Sequence, residues 1–133
     1  MGKAQISVEL VVMASVMLFL LLTMFVANEN LSSSWERQKQ SLQASAAADR
    51  VAAAVARASA FGNGTSVSFF NGVGPDVVNM SVFEGRSIIA NTVSRVSVSV
   101  TTICNETSAP SGIPVNEEIV VRNSGGAIII GAA

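Results

Sequence analysis

The sequence predicts an α+β protein: a long N-terminal hydrophobic α-helix over about residues 6–60, followed by a small antiparallel β-rich head packed on the C-terminal half of that helix. Between Gly2 and Gly62 there is no glycine, and the first proline is Pro75, so nothing interrupts a helix over this interval. After Gly64 the spacing of apolar residues changes from helical to alternating, which is typical of strands.

The first part of the helix is an apolar run. Residues 10–27 carry no charge, and only Ser15 and Thr23 are polar. At 1.5 Å per residue the run spans about 27 Å, close to the hydrocarbon thickness of a bilayer. A cleavable secretion signal has a shorter apolar core, and a cut after Ala27 would leave Phe25 where a small residue is needed. The run therefore predicts a membrane span.

The flanks of the run predict its orientation. Lys3 and the N-terminal amine precede the run, whereas Glu29 follows it between two asparagines. Because positive charge is retained on the cytoplasmic side, the N-terminus is expected in the cytoplasm and the head outside the cell.

Residues 28–61 are predicted to continue the helix as a stalk that runs into the head. Its apolar positions recur at helical spacing, first Leu31, Trp35, Leu42 and Ala46, and then, with a shift of face, Val51, Val55 and Ala58. Gly62 and Gly64 provide the expected C-terminal stop. Since a head of this size buries little core by itself, the Ala-rich face over residues 46–60 is expected to form its second layer.

Residues 62–133 are predicted to form the β-rich head. The expected strands cover residues 65–70, 78–82, 96–100, 119–122 and 127–130. Val78, Met80 and Val82 are expected on one face of the second strand, and the strand at 96–100 lies within a longer extended run over 92–104. The turns between strands are expected at Asn71-Gly72, Glu84-Gly85, 108–114 and Ser124-Gly125-Gly126.

The composition excludes several classes of function. The formal net charge is −1 with scattered cations, which gives no basic surface for a nucleic-acid partner. There is no His and only one cysteine, Cys104, so neither an intrachain disulfide nor a Cys/His zinc site can form. Cys104 is interpreted as a small buried hydrophobe and Glu117-Glu118 as a solvated strand start. No convergent set of titratable groups indicates an enzyme, a metal or a cofactor.

The residues before the apolar run resemble a known signal. Gly2-Lys3-Ala4 followed by Gln5-Ile6-Ser7-Val8-Glu9 is similar to the class III (prepilin-type) signal peptide of archaeal type IV pilins and pilin-like proteins. The resemblance implies that residues 1–4 are a leader, which a prepilin peptidase removes by cutting the Ala4–Gln5 bond. It also implies that residues 5–27 form the core of a filament after extraction from the membrane. Ala4 stands where Gly is more usual in the family.

Glu9 has two interpretations. It becomes the fifth residue of the mature chain, where type IV pilins often carry Glu, and the resemblance implies that it pairs with the Gln5 amine and sets the register of assembly. In the alternative, it is a first-turn acid that favours the helix N-terminus and lies among lipid headgroups.

Four Asn-x-Ser/Thr sequons are candidates for glycosylation in an exported domain, at Asn30, Asn63, Asn79 and Asn105. Asn63 and Asn105 lie at a predicted turn and loop, and Asn79 requires its side of the strand to be free.

The expected function is that of a structural subunit of an archaeal type IV pilus-like surface filament with a role in adhesion. Its partners would be further copies of the chain, the prepilin peptidase and assembly machinery, and the membrane before assembly. Two alternatives stay open: a permanently anchored single-span binding module, and a TadE-like minor pseudopilin.

Overall fold

A computed structural model describes residues 2–104 and 106–133, and describes side chains from residue 7 onward. One helix, α1 (Gly2–Phe61), precedes all the strands. The seven strands are β1 (Ser66–Phe70), β2 (Val77–Phe83), β3 (Ser87–Thr92), β4 (Ser97–Thr101), β5 (Thr107–Ser108), β6 (Glu118–Ser124) and β7 (Ala127–Ala132). The predicted α+β class is confirmed.

The chain divides into two compact units, Met1–Glu36 and Arg37–Ala133. The first unit, as far as it is described, consists of helix alone. The second contains the remainder of α1 and every strand, and we call it the head unit.

The end of α1 is fixed by a glycine and by an asparagine from β6. Gly62 follows Phe61 with a φ of 86°, the left-handed conformation that ends many helices and that only glycine adopts without strain. The Nδ2 atom of Asn123 donates to the carbonyl oxygen of Ala58 at 3.2 Å, in the last turn of the helix. The backbone amide of Gly126 donates to Oδ1 of the same asparagine at 3.1 Å. Asn123 therefore joins the helix end to the β6–β7 turn.

The strands form two sheets. The four-stranded sheet has the order β1-β6-β7-β5, in which only the β5–β7 pair is parallel. The three-stranded sheet is an antiparallel meander of the order β2-β3-β4. An isolated antiparallel bridge between Met80 and Ile113 lies outside the named strand pairs.

The core of the head unit lies between the helix and both sheets. Its fully buried large side chains come from all three, with Val51 and Val55 from α1, Met80 and Ile88 from the three-stranded sheet, and Ile119 and Ile128 among those from the four-stranded sheet. The helix contributes mostly alanines. Because alanine brings the backbones close together, the helix can serve as a second layer for sheets of few strands.

The apolar face predicted for the stalk is wrong from Leu31 to Ala46 and confirmed at Val51, Val55 and Ala58. The buried stripe within the head unit consists of Gln40, Ala44, Ala47, Ala48, Val51, Ala54, Val55 and Ala58. Leu31, Trp35 and Leu42 are instead more than half exposed, and Ala46 is exposed. The sequence prediction followed the largest side chains, whereas the buried positions of the helix carry mostly small ones.

Two strands were missed, and the face predicted for a third is right at Met80 and Val82 but wrong at Val78. β3 lies where only a turn and the start of a long extended run were expected, and β5 lies in the loop predicted after residue 104. In β2 the pairing register shifts between Val77 and Asn79, so Val77 is buried and Val78 is 56% exposed. A β-bulge of this kind reverses the faces of the residues before it, and alternation alone does not reveal it.

Candidate functional site

The candidate site of the first unit is the surface of its apolar helix. Fifteen large apolar side chains between Val8 and Val26 are each 55–75% exposed. These side chains lie on all sides of the helix, and none of the most apolar 18-residue stretch is buried. The helix is long and apolar enough to cross a membrane.

Such a surface is not stable in water. Full burial of one Val, Leu, Met or Phe side chain is favourable by about 1.5–3 kcal/mol, so this surface represents a driving force of tens of kcal/mol for transfer out of water. A soluble monomer rarely exposes a contiguous apolar patch of this extent. The surface therefore needs lipid or other apolar helices against it.

The two polar residues within the run are compatible with a dry environment. The Ser15 hydroxyl donates to the Val11 carbonyl oxygen at 2.8 Å, and the Thr23 hydroxyl donates to the Leu20 carbonyl oxygen at 2.8 Å. In lipid every hydroxyl needs a partner within the protein, and both have one in their own helix. The predicted span contains no other polar side chain.

Glu9 is the one acidic residue directly before the run, and its side chain is exposed. The helix begins at Gly2 and has no acid in its first turn, so Glu9 lies in the second turn of the full chain. Stabilisation by the helix dipole falls off within the first turn. The interpretation of Glu9 as a first-turn acid therefore does not hold for the uncut chain. It applies only to a helix whose first turn begins at Ile6, the start that the sequence predicts.

The predicted cleavage bond, Ala4–Gln5, lies inside α1. The side chains of Ala4 and Gln5 are outside the described part of the structure. Positions 5 and 9 are four residues apart in the helix and share one face, so the predicted first residue of a cut chain and the Glu9 carboxylate lie on the same side of the helix.

Three of the four sequons are described, and all three asparagines are exposed. Asn63 lies in the turn after α1, where its Oδ1 accepts from the Gly125 amide at 2.7 Å. Asn79 lies on the outer face of β2, where its Oδ1 accepts from Nδ2 of Asn91 at 2.8 Å. In both residues the oxygen is bound and the glycan-accepting Nδ2 donates no hydrogen bond within the described residues. Asn30 lies on α1, and Asn105 is outside the described residues.

The remaining candidates from the sequence carry no chemistry in the described structure. Glu117 and Glu118 are exposed at the start of β6, as predicted. Cys104 is half-buried and packs against the core, less completely than expected. Within residues 2–104 and 106–133, no group of three or more His, Cys, Asp or Glu side chains could hold a metal ion.

The sequence did not indicate a polar contact between the helix and the 72–74 loop of the head unit. Nη1 of Arg50 donates to the Gly72 carbonyl oxygen at 2.8 Å, beside a small cavity of about 140 Å³ that Gln43 also lines. Gln43 lies directly against Gly74, where a Cβ atom would approach Oε1 of Gln43 to 2.5 Å. The contact between Gly74 and the Gln43 amide is visible in the structure, but no pattern in the sequence indicates it.

Comparison with known proteins adds no relative. No protein-family model, curated protein or solved structure matches this chain. An apolar helix followed by a small β-rich head is compatible with a pilin-like fold, and the functional assignment depends on that helix and on the residues at its start.

Proposed function

We propose that this chain is a structural subunit of an archaeal type IV pilus-like surface filament. The precursor is held in the membrane by its apolar helix, with the N-terminus in the cytoplasm and the head outside. A prepilin peptidase cuts the Ala4–Gln5 bond, and the mature helices then pack together as the core of the filament. The observation that carries the proposal is the exposure of apolar side chains all round the helix between Val8 and Val26.

The physical argument is that lipid and a bundle of like helices satisfy the same surface. A helix that is apolar on every side can be buried by lipid as a single span, or by neighbours on all sides in a filament. Ala14 and Ser15 permit close approach between helices, and Met13, Met17 and Met24 fill irregular gaps. The same residues can therefore serve in the precursor and in the assembled fibre.

The test is electron microscopy of the cells that make this chain, with its coding sequence deleted and then restored. The proposal predicts that a class of surface filament and attachment to surfaces are lost on deletion and regained on restoration. Filaments and attachment that are unchanged in the deletion strain would contradict it. In that case a permanently anchored binding module becomes the better assignment.

Glycosylation of the exported head is a second part of the proposal. The geometry at Asn63 and Asn79 leaves both Nδ2 atoms available, and both lie in sequons completed by Thr65 and Ser81. We expect Asn63→Gln and Asn79→Gln each to lower the mass of the mature chain by one glycan in intact-mass spectrometry. Asn28→Gln, which changes an exposed asparagine outside any sequon, is the control. A wild-type mass equal to that of the bare polypeptide would refute glycosylation.

A further inference from the structure

The outer edge of β4 is unpaired within the described residues and could pair with another strand. β4 is the last strand of the β2-β3-β4 sheet, and no described strand pairs with its outer side. Its pairing with β3 is regular over all five residues, without a bulge. Its sequence, Ser-Val-Ser-Val-Thr, contains no charge and no proline. Charges, prolines and bulges are the devices by which proteins usually prevent pairing at an edge, and β4 lacks them.

The other edges of the two sheets differ from β4. β2 carries a register shift, and its outer side is engaged by the Met80–Ile113 bridge. β5 is only two residues long. β1 is also an edge strand of five residues. It begins with Ser-Val and ends with two phenylalanines, so its sequence is not symmetric about its centre.

The hydrogen bonds at the ends of the β3–β4 ladder show which backbone groups of β4 are free. The Thr92 amide donates to the Val96 carbonyl oxygen at 2.9 Å, and the Thr102 amide donates to the Arg86 carbonyl oxygen at 2.6 Å. Because bonding alternates along an antiparallel strand, Val98 and Val100 also direct their backbone groups toward β3. The N–H and C=O groups of Ser97, Ser99 and Thr101 therefore point outward.

The side chains of β4 follow the same alternation. Ser97, Ser99 and Thr101 are exposed, whereas Val98 and Val100 are half-buried and lie against the margin of the core. The two valines thus retain apolar surface that one more strand would cover. The strand sequence is nearly symmetric about Ser99, which has a valine on each side and then a serine or a threonine.

We propose that two copies of this chain pair antiparallel through β4 about a two-fold axis at Ser99. Ser99 then faces Ser99, and Ser97 faces Thr101 in both directions, so that every outward N–H and C=O group of the strand finds a partner. On the inner face Val98 of each copy lies opposite Val100 of the other, a favourable pairing of β-branched residues. The two three-stranded sheets become one continuous sheet.

This contact goes beyond assembly through the apolar helix. A two-fold contact closes after two copies, so it links subunits in pairs and does not propagate a filament. It would join precursors in the membrane or subunits of neighbouring filaments. Self-pairing of β1 about Ser68 is less favourable, because it sets Ser66 against Phe70 and Val67 against Phe69.

Cysteine crosslinking of the full chain in its own membrane tests the register. In a Cys104→Ser background, Ser99→Cys places two cysteines with Cα atoms about 5.5 Å apart across the axis, within the range of a disulfide. Thr101→Cys in the same background is the control, because the two copies of residue 101 lie about 14 Å apart. We expect a disulfide-linked dimer on mild oxidation for Ser99→Cys only. Equal crosslinking of both variants, or of neither, overturns the proposal.

A proline substitution tests the edge itself. Ser99→Pro removes an N–H that points away from β3, so the β3–β4 ladder is kept while a partner strand loses its bonds. Ser68→Pro is the matched control on β1, where by the same alternation the N–H points away from β6. The dimer is detected by crosslinking native membranes with a photoreactive reagent that does not require lysine. We expect Ser99→Pro to lose the dimer paired through β4 and Ser68→Pro to retain it. The reverse result, or no effect of Ser99→Pro, overturns the proposal.

Discussion

Glu9 is the residue on which the proposed assembly depends most. It lies at the start of an apolar surface that has to be buried, and a carboxylate buried with that surface needs a partner. After the proposed cut, the new amine at Gln5 is the nearest cation in sequence. Pairing between the two would set the axial position of one subunit against its neighbour.

Glu9→Gln keeps the shape of the side chain and removes its charge. We expect membrane insertion of the precursor to be unchanged and filaments to be lost or reduced at least tenfold, as counted in electron micrographs. Glu29→Gln, on the other side of the span, is the matched control and should assemble normally. Normal filament numbers with Glu9→Gln would show that Glu9 has no role in register.

Gly74 is a residue whose importance comes from one contact. A Cβ atom there would lie 2.5 Å from Oε1 and 2.8 Å from Cδ of Gln43. The amide end of the Gln43 side chain would have to shift away from residue 74. The steric conflict therefore depends on residue 74 and Gln43 together.

We expect Gly74→Ala to lower the free energy of unfolding of the head unit by about 1 kcal/mol. In a Gln43→Ala background the same change should be neutral or slightly stabilising, because the conflict is gone and alanine reduces the freedom of the unfolded chain. Thermal unfolding of the wild-type chain and the three variants in detergent measures this cycle. An equal loss of stability in both backgrounds would place the cause elsewhere.

At the scale of elements, uninterrupted local patterns in the sequence were sufficient to predict the helix and most of the strands. The absence of helix breakers predicted α1 to within four residues of its start and one of its end. The alternating runs predicted β1, β4, β6 and β7. The helix ending at Gly62 and the turn at Gly125-Gly126 were predicted from glycine alone, and all three glycines have positive φ.

The failures have tertiary causes. The buried face of the helix carries Ala44, Ala47 and Ala48, and hydrophobicity ranks these residues below the exposed Leu42. β3 begins with only one residue between it and the turn glycine, so its start was hidden in that turn. β5 exists only through its pairing with β7, and a two-residue strand has no period to detect.

The corrected face of α1 can be tested by paired truncations. Val51 is fully buried in the core, whereas Leu42 is 66% exposed. We expect Val51→Ala to cost about 1–3 kcal/mol of unfolding free energy, from lost apolar burial and a new cavity. Leu42→Ala should change it by less than about 0.5 kcal/mol, although leucine is the larger residue. Chemical denaturation of the head unit within the full chain makes the comparison, and a larger effect at Leu42 would contradict this face.

At the scale of the whole molecule, the two units satisfy different requirements. The head unit has a buried core supplied by one helix and two sheets. The first unit has no buried apolar side chain within its described residues, and its surface is stable only in lipid or among other helices. The proposed storage in a membrane and later packing against further copies of the chain would bury the surface of the first unit in both states.

The measurement that tests the central claim most directly is the mass of the mature N-terminal peptide, from chains isolated from the cell surface. Removal of residues 1–4 predicts a mature chain that begins at Gln5, either with a free amine or with the cyclised glutamine. Ala4→Leu in the precursor, which places a bulky residue at the scissile bond, is expected to leave uncut chain in the membrane. A mature chain that begins at Met1 or Gly2 would contradict the assignment as a pilin-like subunit.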